Sequence, residues 1–278
     1  MIFEFKHSMK KKNKILITID GIRKDRVGCY NKNKEYLTPN LTKIANESIV
    51  MNDMMACGTS TAMCFSSLFT GQYQKKFNRK RYGDNENPFS KNIFTDLEQQ
   101  GYKTFICLNR RFNHCFNLIN TLGRNTKIWW TGYKSRSKNL GSLRPKEQIN
   151  YIIDELKTVN SPFFIWVHLW GFSQPQNKFR KISSSDYEAR TAELDDAIGI
   201  AFEKFKKNSE LFFLSDHGYA FFENDKWAYG KDGNNLAESV TTIPAIIYNG
   251  KEKGYNNNLV SQIQFRKIIY ESKKALEI

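Results

Sequence analysis

Short apolar runs alternate with amphipathic segments along the chain. The runs are rich in β-branched and aromatic residues and lack the polar alternation of a half-exposed strand. They are Ile15–Ile19, Thr104–Leu108, Phe163–His168, Leu211–Leu214 and Ile243–Tyr248. The segments with helical spacing include Pro39–Asn46, Ile93–Gln100, Lys146–Val159 and Asp186–Lys206. This order predicts a doubly wound α/β fold, with a mostly parallel central sheet and helices on both of its faces.

Polar residues follow two of the predicted strands at their carboxyl ends. Asp20 comes directly after Ile15–Ile19, and Asp216 and His217 follow Leu211–Leu214 after a single serine. Ligands of an α/β sheet lie beyond the carboxyl ends of its strands, so we expect these side chains to converge. Two carboxylates and an imidazole suit a divalent transition metal such as zinc. Each residue alone is also common in turns and helix caps, and that alternative stays open here.

A segment of small and hydroxyl-bearing residues, Cys57–Cys64, leads into a predicted helix that ends at Gly71. A hydroxyl at a helix N-terminus faces free backbone N–H groups and the positive end of the helix dipole, a setting that favours anions. A threonine hydroxyl is a weak nucleophile near neutral pH unless a metal activates it. The alternative is an ordinary N-cap formed by Thr59, Ser60 or Thr61.

These elements, in this order, resemble the alkaline phosphatase/sulfatase superfamily. The matching motifs are D-x-x-R-x-D-x-x-G-x-Y at Asp20–Tyr30, T-P-N-L at Thr38–Leu41, S-D-H-G at Ser215–Gly218 and I-P-x-I-I-Y at Ile243–Tyr248. In addition, C-G-T-S-T-A at Cys57–Ala62 is similar to the nucleophile motif of lipid A phosphoethanolamine transferases. The resemblance implies a sulfatase-like catalytic domain over residues 14–278, after a basic N-terminal extension of residues 1–13.

The position of the nucleophile separates two branches of this superfamily. Sulfatases carry a cysteine, matured to formylglycine, ten residues before a glycine. Counting ten residues back from Gly71 reaches Thr61, whereas Cys64 lies three residues later and lacks the proline and arginine of the maturation motif. Threonine is the nucleophile of the superfamily's phosphotransferases. The resemblance therefore implies that Thr61 forms a phosphothreonine intermediate, and it speaks against a formylglycine sulfatase.

Carried over residue by residue, the resemblance implies one divalent metal, zinc in the first place and manganese as the alternative. Its ligands would be Asp20, Thr61, Asp216 and His217. Lys231 would contact the phosphoryl group, with a solvated loop lysine as the alternative. Ser173 stands where many members have the histidine of an H-x-P motif, and we expect it at the substrate. His168 is interpreted as a core histidine rather than a replacement for that group.

Two tryptophans, Trp129 and Trp130, are further candidates for substrate binding, because indole rings stack on sugars. Filling the core is the alternative. Nucleic-acid recognition is not expected, since no helix-turn-helix, zinc-finger or RNP-like motif is present.

The chain has a net charge of +15, because its 278 residues include 43 Lys and Arg against 28 Asp and Glu. This excess predicts attraction to polyanions such as an anionic membrane surface or an acidic glycan, with lysine-rich background composition as the alternative.

Five irregularly spaced cysteines argue against a disulfide scaffold. Lysines interrupt the first fourteen residues, and no apolar run is long enough to span a membrane. We therefore expect a cytoplasmic location, with peripheral contact at the inner membrane face as an option.

Three functions remain in competition at this level. The first is a metal-dependent phospho-transferase that moves a phosphoethanolamine- or phosphoglycerol-type group from a phosphodiester donor, lipid- or nucleotide-linked, to an acceptor hydroxyl such as a surface glycan. The second uses the same site with water as the acceptor, as a phosphodiesterase, phosphatase or sulfatase-like hydrolase. The third is a catalytically weak polyanion-binding protein.

Overall fold

The computed structural model describes residues 11–73, 91–109, 122, 125–131, 144–160, 162–170, 184–220 and 236–271. Its strands are β1 (Asn13–Ile19), β2 (Ile49–Met55), β3 (Lys103–Asn109), β4 (Lys127–Thr131), β5 (Phe163–Leu169), β6 (Ser209–Ser215), β7 (Thr242–Tyr248) and β8 (Gly254–Ser261). Its α-helices are α1 (Pro39–Ala45), α2 (Thr61–Thr70), α3 (Ile93–Gln99), α4 (Pro145–Leu156), α5 (Ser184–Phe205), α6 (Glu238–Thr241) and α7 (Gln262–Glu271). Two 3₁₀ turns, Lys24–Arg26 and Lys32–Leu37, precede α1.

The eight strands form one sheet in the order β4-β3-β5-β1-β6-β7-β2-β8. Strand β7 is antiparallel to both of its neighbours, and the other described pairings are parallel. The first strand of the chain, β1, lies in the middle of the sheet between β5 and β6. This arrangement confirms the predicted doubly wound, mostly parallel α/β fold.

The sheet separates two hydrophobic cores because successive side chains of a strand point to opposite faces. In β1, Ile15, Ile17 and Ile19 pack in one core and Leu16 packs in the other. Helices α1, α4 and α5 cover the first face, while α2, α3 and α7 cover the second. A strand buried on both faces is apolar at most of its positions, which is why the central strands read as nearly continuous apolar runs.

All five predicted strands and all four predicted helices are present, with small shifts at their ends. The helix predicted to end at Gly71 also does so, with Gly71 in the left-handed conformation at φ 68°. Among the helices that the structure describes, none combines the length and the apolar character that a membrane crossing requires.

Candidate metal centre and nucleophile

The carboxyl ends of β1 and β6 bring Asp20 and Asp216 together. The two strands are parallel neighbours, with Ile19 in register with Ser215, so the residue after each strand emerges at the same edge of the sheet. The Asp216 N–H donates to the carbonyl oxygen of Ile19 at 3.2 Å, which ties the two strand ends to each other. The convergence expected from the sequence is therefore confirmed.

The two carboxylate oxygens of Asp216 have different roles. Oδ1 accepts hydrogen bonds from the backbone N–H groups of Gly21 (3.0 Å) and His217 (2.8 Å). Oδ2 is buried and has no hydrogen-bond partner among the described residues. Since buried polar atoms are almost always satisfied, this oxygen is suited to a cation.

The imidazole of His217 is oriented by its own backbone neighbourhood. Nδ1 lies 2.8 Å from the carbonyl oxygen of Gly218, and because a carbonyl only accepts, Nδ1 carries the proton of the neutral ring. The lone pair of Nε2 then faces the carboxylates, 3.5 Å from Asp216 Oδ2 and 3.8 Å from Asp20 Oδ1. Histidines that bind metals in proteins are oriented in this way, by a hydrogen bond from the ring nitrogen that does not bind the metal.

Thr61 completes the cluster from a different part of the chain. It is the first residue of α2, and its Oγ1 lies 3.3 Å from Nε2 of His217. The N-cap position belongs to Ser60, whose side chain makes no capping hydrogen bond within the described residues. The Thr61 hydroxyl is therefore directed at the candidate metal ligands rather than used to cap its helix.

Burial and mutual charge perturb the titration of the cluster. Burial, together with the Asp216 carboxylate, raises the pKa of Asp20 to about 7 against the opposing influence of His217. Burial by itself lowers the pKa of His217, but the Asp216 and Asp20 carboxylates and the Gly218 carbonyl outweigh it and raise that pKa. Both shifts favour the protonated form of the group, and a divalent cation would compete with these protons.

The family model described as Sulfatase matches residues 12–270. The chain belongs to the Sulfatase family. A comparison with curated proteins gives no match. Solved structures of the alkaline phosphatase superfamily match nearly the whole chain, and across the first four the chain spans 66% to 90% of the other chain's length.

Three of these solved structures show the range of proteins that share this Sulfatase-family fold. The C-terminal periplasmic domain of phosphoethanolamine transferase EptC from Campylobacter jejuni is 18% identical, with a TM-score of 0.66, and the match covers 95% of this chain and 90% of that one. The corresponding EptC domain from Escherichia coli, in complex with zinc, is 17% identical (TM-score 0.69; 92% and 80% covered). Phosphonate monoester hydrolase of Agrobacterium radiobacter is 15% identical (TM-score 0.68; 94% and 73% covered).

The cluster in this Sulfatase-family chain fits a divalent transition metal. It offers oxygen and imidazole nitrogen atoms, which zinc and manganese accept, from Asp20, Thr61, Asp216 and His217. The observation that most directly favours a cation here is Oδ2 of Asp216, which is buried and has no hydrogen-bond partner within the part of the chain that the structure describes. These four residues are the candidate ligands.

His168, interpreted from the sequence as a core histidine, also lies beside this cluster. It is fully buried against the Phe65 ring, and its Nδ1 is 2.9 Å from Thr18 Oγ1. Ligand-type atoms of His168, Asp20 and Asp216 all lie within 4.8 Å of one another. Burial lowers the pKa of His168 to about 4, against the influence of Asp216, so the ring is neutral. Only the adjacency of β5 and β1 places it here, and the sequence alone does not specify that adjacency.

The predicted substrate-binding residues lie elsewhere or outside the described part of the chain. The Trp129 ring is 5% exposed and stacks on Phe105, with ring centroids 4.9 Å apart, so it fills the core, which is the alternative that the sequence left open. Trp130 is half-buried against the second core, and both tryptophans belong to the edge strand β4. Lys231 and Ser173 lie outside the described residues.

Proposed function

We propose that this chain is a metal-dependent phospho-transferase. It would move a phosphoethanolamine- or phosphoglycerol-type group from a phosphodiester donor to an acceptor hydroxyl, with a surface glycan as the acceptor class. The observation that carries the proposal is the Thr61 hydroxyl, at the start of α2 and 3.3 Å from Nε2 of His217. The zinc complex of EptC and the phosphoethanolamine transferase of the same fold support it.

In this mechanism, Thr61 is the nucleophile. Its Oγ forms a bond to the donor's phosphorus while the opposite P–O bond breaks, the hydroxyl proton passes to solvent, and the departing alcohol takes a proton from solvent. The bound metal would supply Lewis acidity, which lowers the pKa of the Thr61 hydroxyl and neutralises charge on the phosphoryl oxygens. The oxygen of the acceptor hydroxyl then bonds to the phosphorus of phosphothreonine and releases its proton to solvent, while the Oγ–P bond breaks and Thr61 Oγ takes up a proton from solvent.

The rest of the site would hold the reacting groups in place. The backbone N–H groups in the first turn of α2 point towards its N-terminus and favour the anionic phosphoryl oxygens, and the helix dipole acts in the same direction. Asp216 and His217 are fixed by backbone hydrogen bonds, so little reorganisation is needed when charge develops.

Hydrolysis is the second candidate, because phosphonate monoester hydrolase has the same fold. Water would then replace the acceptor hydroxyl and release the transferred group as a phosphomonoester. The residues that bind the metal and attack phosphorus would be the same in both reactions.

The two candidates differ in their need for an acceptor. The test incubates zinc-loaded protein with phosphatidylethanolamine or phosphatidylglycerol in micelles, with and without an oligosaccharide acceptor, and measures diacylglycerol release. Release that continues only with the acceptor supports transfer, whereas equal and continuous release without it supports hydrolysis. Release by Thr61→Ala at the wild-type rate would contradict both.

A further inference from the structure

Gln262 connects the segment that carries Thr61 to the strand end that carries Asp216. It is the first residue of α7, and it is fully buried. Its Oε1 accepts a hydrogen bond from the backbone N–H of Cys57 at 2.8 Å. Its Nε2 donates to the backbone carbonyl oxygens of Asp216 (2.7 Å) and Ser215 (3.2 Å). One planar amide group thus joins two segments that are far apart in the sequence.

Both ends of this connection lead directly to the candidate site. Cys57 begins the four-residue loop that ends at Thr61, the first residue of α2. The Asp216 carbonyl belongs to a residue whose side chain faces the metal position. A shift of either segment would break hydrogen bonds that water cannot replace, because the amide is buried, and an unsatisfied buried polar group costs free energy.

A second buried amide, that of Asn249, provides a contrast. The side chain of Asn249 accepts from the N–H groups of Lys251 and Glu252 and donates to the Glu252 carboxylate, all within its own turn. It follows the antiparallel strand β7, so it lies at the edge of the sheet opposite the candidate site. Among the described residues, its amide makes hydrogen bonds within this turn.

We infer that Gln262 is a positioning residue that holds the Thr61 hydroxyl at its distance from the metal ligands, an inference that rests on the proposed function. The bonds of Gln262 set the separation between the nucleophile loop and the end of β6. Transfer in line requires the attacking oxygen within a few tenths of an ångström of its productive place, and a displacement of about 1 Å can cost about 100-fold in rate.

The test is Gln262→Met, which keeps the side-chain length and removes all three hydrogen bonds. We expect its maximal rate of donor turnover to fall about 10- to 100-fold, with KM within about threefold of wild type and the zinc content unchanged. A lower rate at saturating substrate, with the metal retained, indicates a misplaced nucleophile rather than weaker substrate binding.

A second readout does not depend on any substrate. Cys57 is half-buried, and burial raises the pKa of its thiol, so we expect slow alkylation by iodoacetamide in the wild type. Release of its N–H from Gln262 lets the loop open more often, and we expect about tenfold faster alkylation of Cys57 in Gln262→Met, measured by peptide mass mapping. If the wild type turns over no donor, the proposed function fails, and this comparison still decides the role of Gln262.

Two further variants make the result decisive. Asn249→Leu removes the buried amide at the opposite edge, and we expect wild-type turnover and wild-type alkylation of Cys57. If Gln262→Met does not fold, the isosteric variant Gln262→Glu replaces it. This variant keeps the acceptor for the Cys57 N–H but places oxygen lone pairs opposite the carbonyl oxygens of Ser215 and Asp216. It should also lower the maximal rate of donor turnover. Wild-type turnover and alkylation in the Gln262 variant, or an equal loss in Asn249→Leu, would overturn the inference.

Discussion

The two carboxylate oxygens of Asp216 differ in their surroundings: Oδ1 accepts two backbone hydrogen bonds, and Oδ2 has no hydrogen-bond partner among the described residues. In Asp216→Asn, the amide oxygen would keep the two backbone N–H donors that Oδ1 now accepts, and the NH₂ group would occupy the place of Oδ2. An NH₂ group has no lone pair for a metal. We therefore expect zinc to fall from about one per chain in the wild type to less than about a tenth, measured by elemental analysis after desalting.

A matched control for this variant lies in α5. Asp195 is equally buried and caps α1 by accepting from the backbone N–H groups of Asn40 and Leu41. Asp195→Asn should destabilise the fold but leave the zinc content at the wild-type value. Equal zinc in Asp216→Asn and wild type would remove Asp216 from the proposed ligand set.

Asp20 makes the stability of the metal-free protein depend on pH. Burial raises its pKa from 3.8 to about 7, so the folded state holds a proton that the unfolded chain releases near pH 4. This contribution to stability is complete below pH 3.8 and is lost as the pH rises through about 7. Asp20→Asn cannot titrate, and we expect the Tm of the chelator-treated variant to fall less between pH 5 and pH 8 than that of the chelator-treated wild type. An equal fall in both proteins would show that Asp20 is ionised in the folded metal-free state.

At the scale of elements, the end of β6 packs closely against α6. A Cβ atom added to Gly218 would lie 1.9 Å from the carbonyl oxygen of Ser239, while the Gly218 N–H donates to the Val240 carbonyl at 2.8 Å. Gly218→Ala must separate these two segments, at a cost of about 1–3 kcal/mol in the free energy of unfolding. Because the Gly218 carbonyl orients His217, we also expect zinc affinity to fall about tenfold or more.

Gly101→Ala is the control for this prediction. Gly101 lies in a turn at φ 86°, and no atom of the described residues lies within 4 Å of an added Cβ, so alanine there costs about 1–2 kcal/mol through backbone strain. Denaturant unfolding and zinc titration of both variants should show destabilisation in each and weaker zinc binding only in Gly218→Ala. Unchanged zinc affinity in Gly218→Ala would mean that the backbone at this point does not orient His217.

The sequence predicts elements well where burial is continuous and poorly where it is not. Strands β1, β3, β5, β6 and β7 are buried on both faces, so each shows an uninterrupted apolar run. The edge strand β8 contains three consecutive asparagines and is exposed at half of its positions, and β2 is interrupted by an irregularity between Met51 and Met54. Neither has the pattern of a buried strand, and both are held in place by pairing with distant strands.

In the candidate site too, some residues could be predicted from the sequence and others could not. Asp20, Asp216 and His217 could be predicted because each directly follows a recognisable buried strand, or lies one residue beyond it, in a matching motif. The partners of Gln262 are 46, 47 and 205 residues away, so nothing local marks its role. His168 lies within an apolar run and resembles any core residue until the strand order is known.

At the scale of the whole molecule, the net charge of +15 predicts salt-dependent adhesion to anionic surfaces. Exposed charges are screened over about 10 Å at 0.1 M salt and about 3 Å at 1 M, so binding to vesicles with anionic lipid should be strong at low salt and lost at high salt. Cosedimentation with anionic and with neutral vesicles measures it, the neutral vesicles being the control. Binding that does not change with salt would indicate that the lysines are background composition.

The covalent intermediate is the central claim, and intact-protein mass tests it most directly. Wild-type protein, loaded with zinc and quenched in acid after incubation with a phosphodiester donor, should gain the mass of the transferred phosphoryl group, and peptide mapping should place it on Thr61. Thr61→Ala should gain no mass and lose about 10³-fold or more in turnover, while Thr61→Ser keeps part of the activity through its hydroxyl. Cys64→Ala should behave as wild type, because Cys64 is buried and burial raises the pKa of its thiol. An adduct that persists in Thr61→Ala, or an aldehyde at Cys64, would contradict the phosphothreonine mechanism.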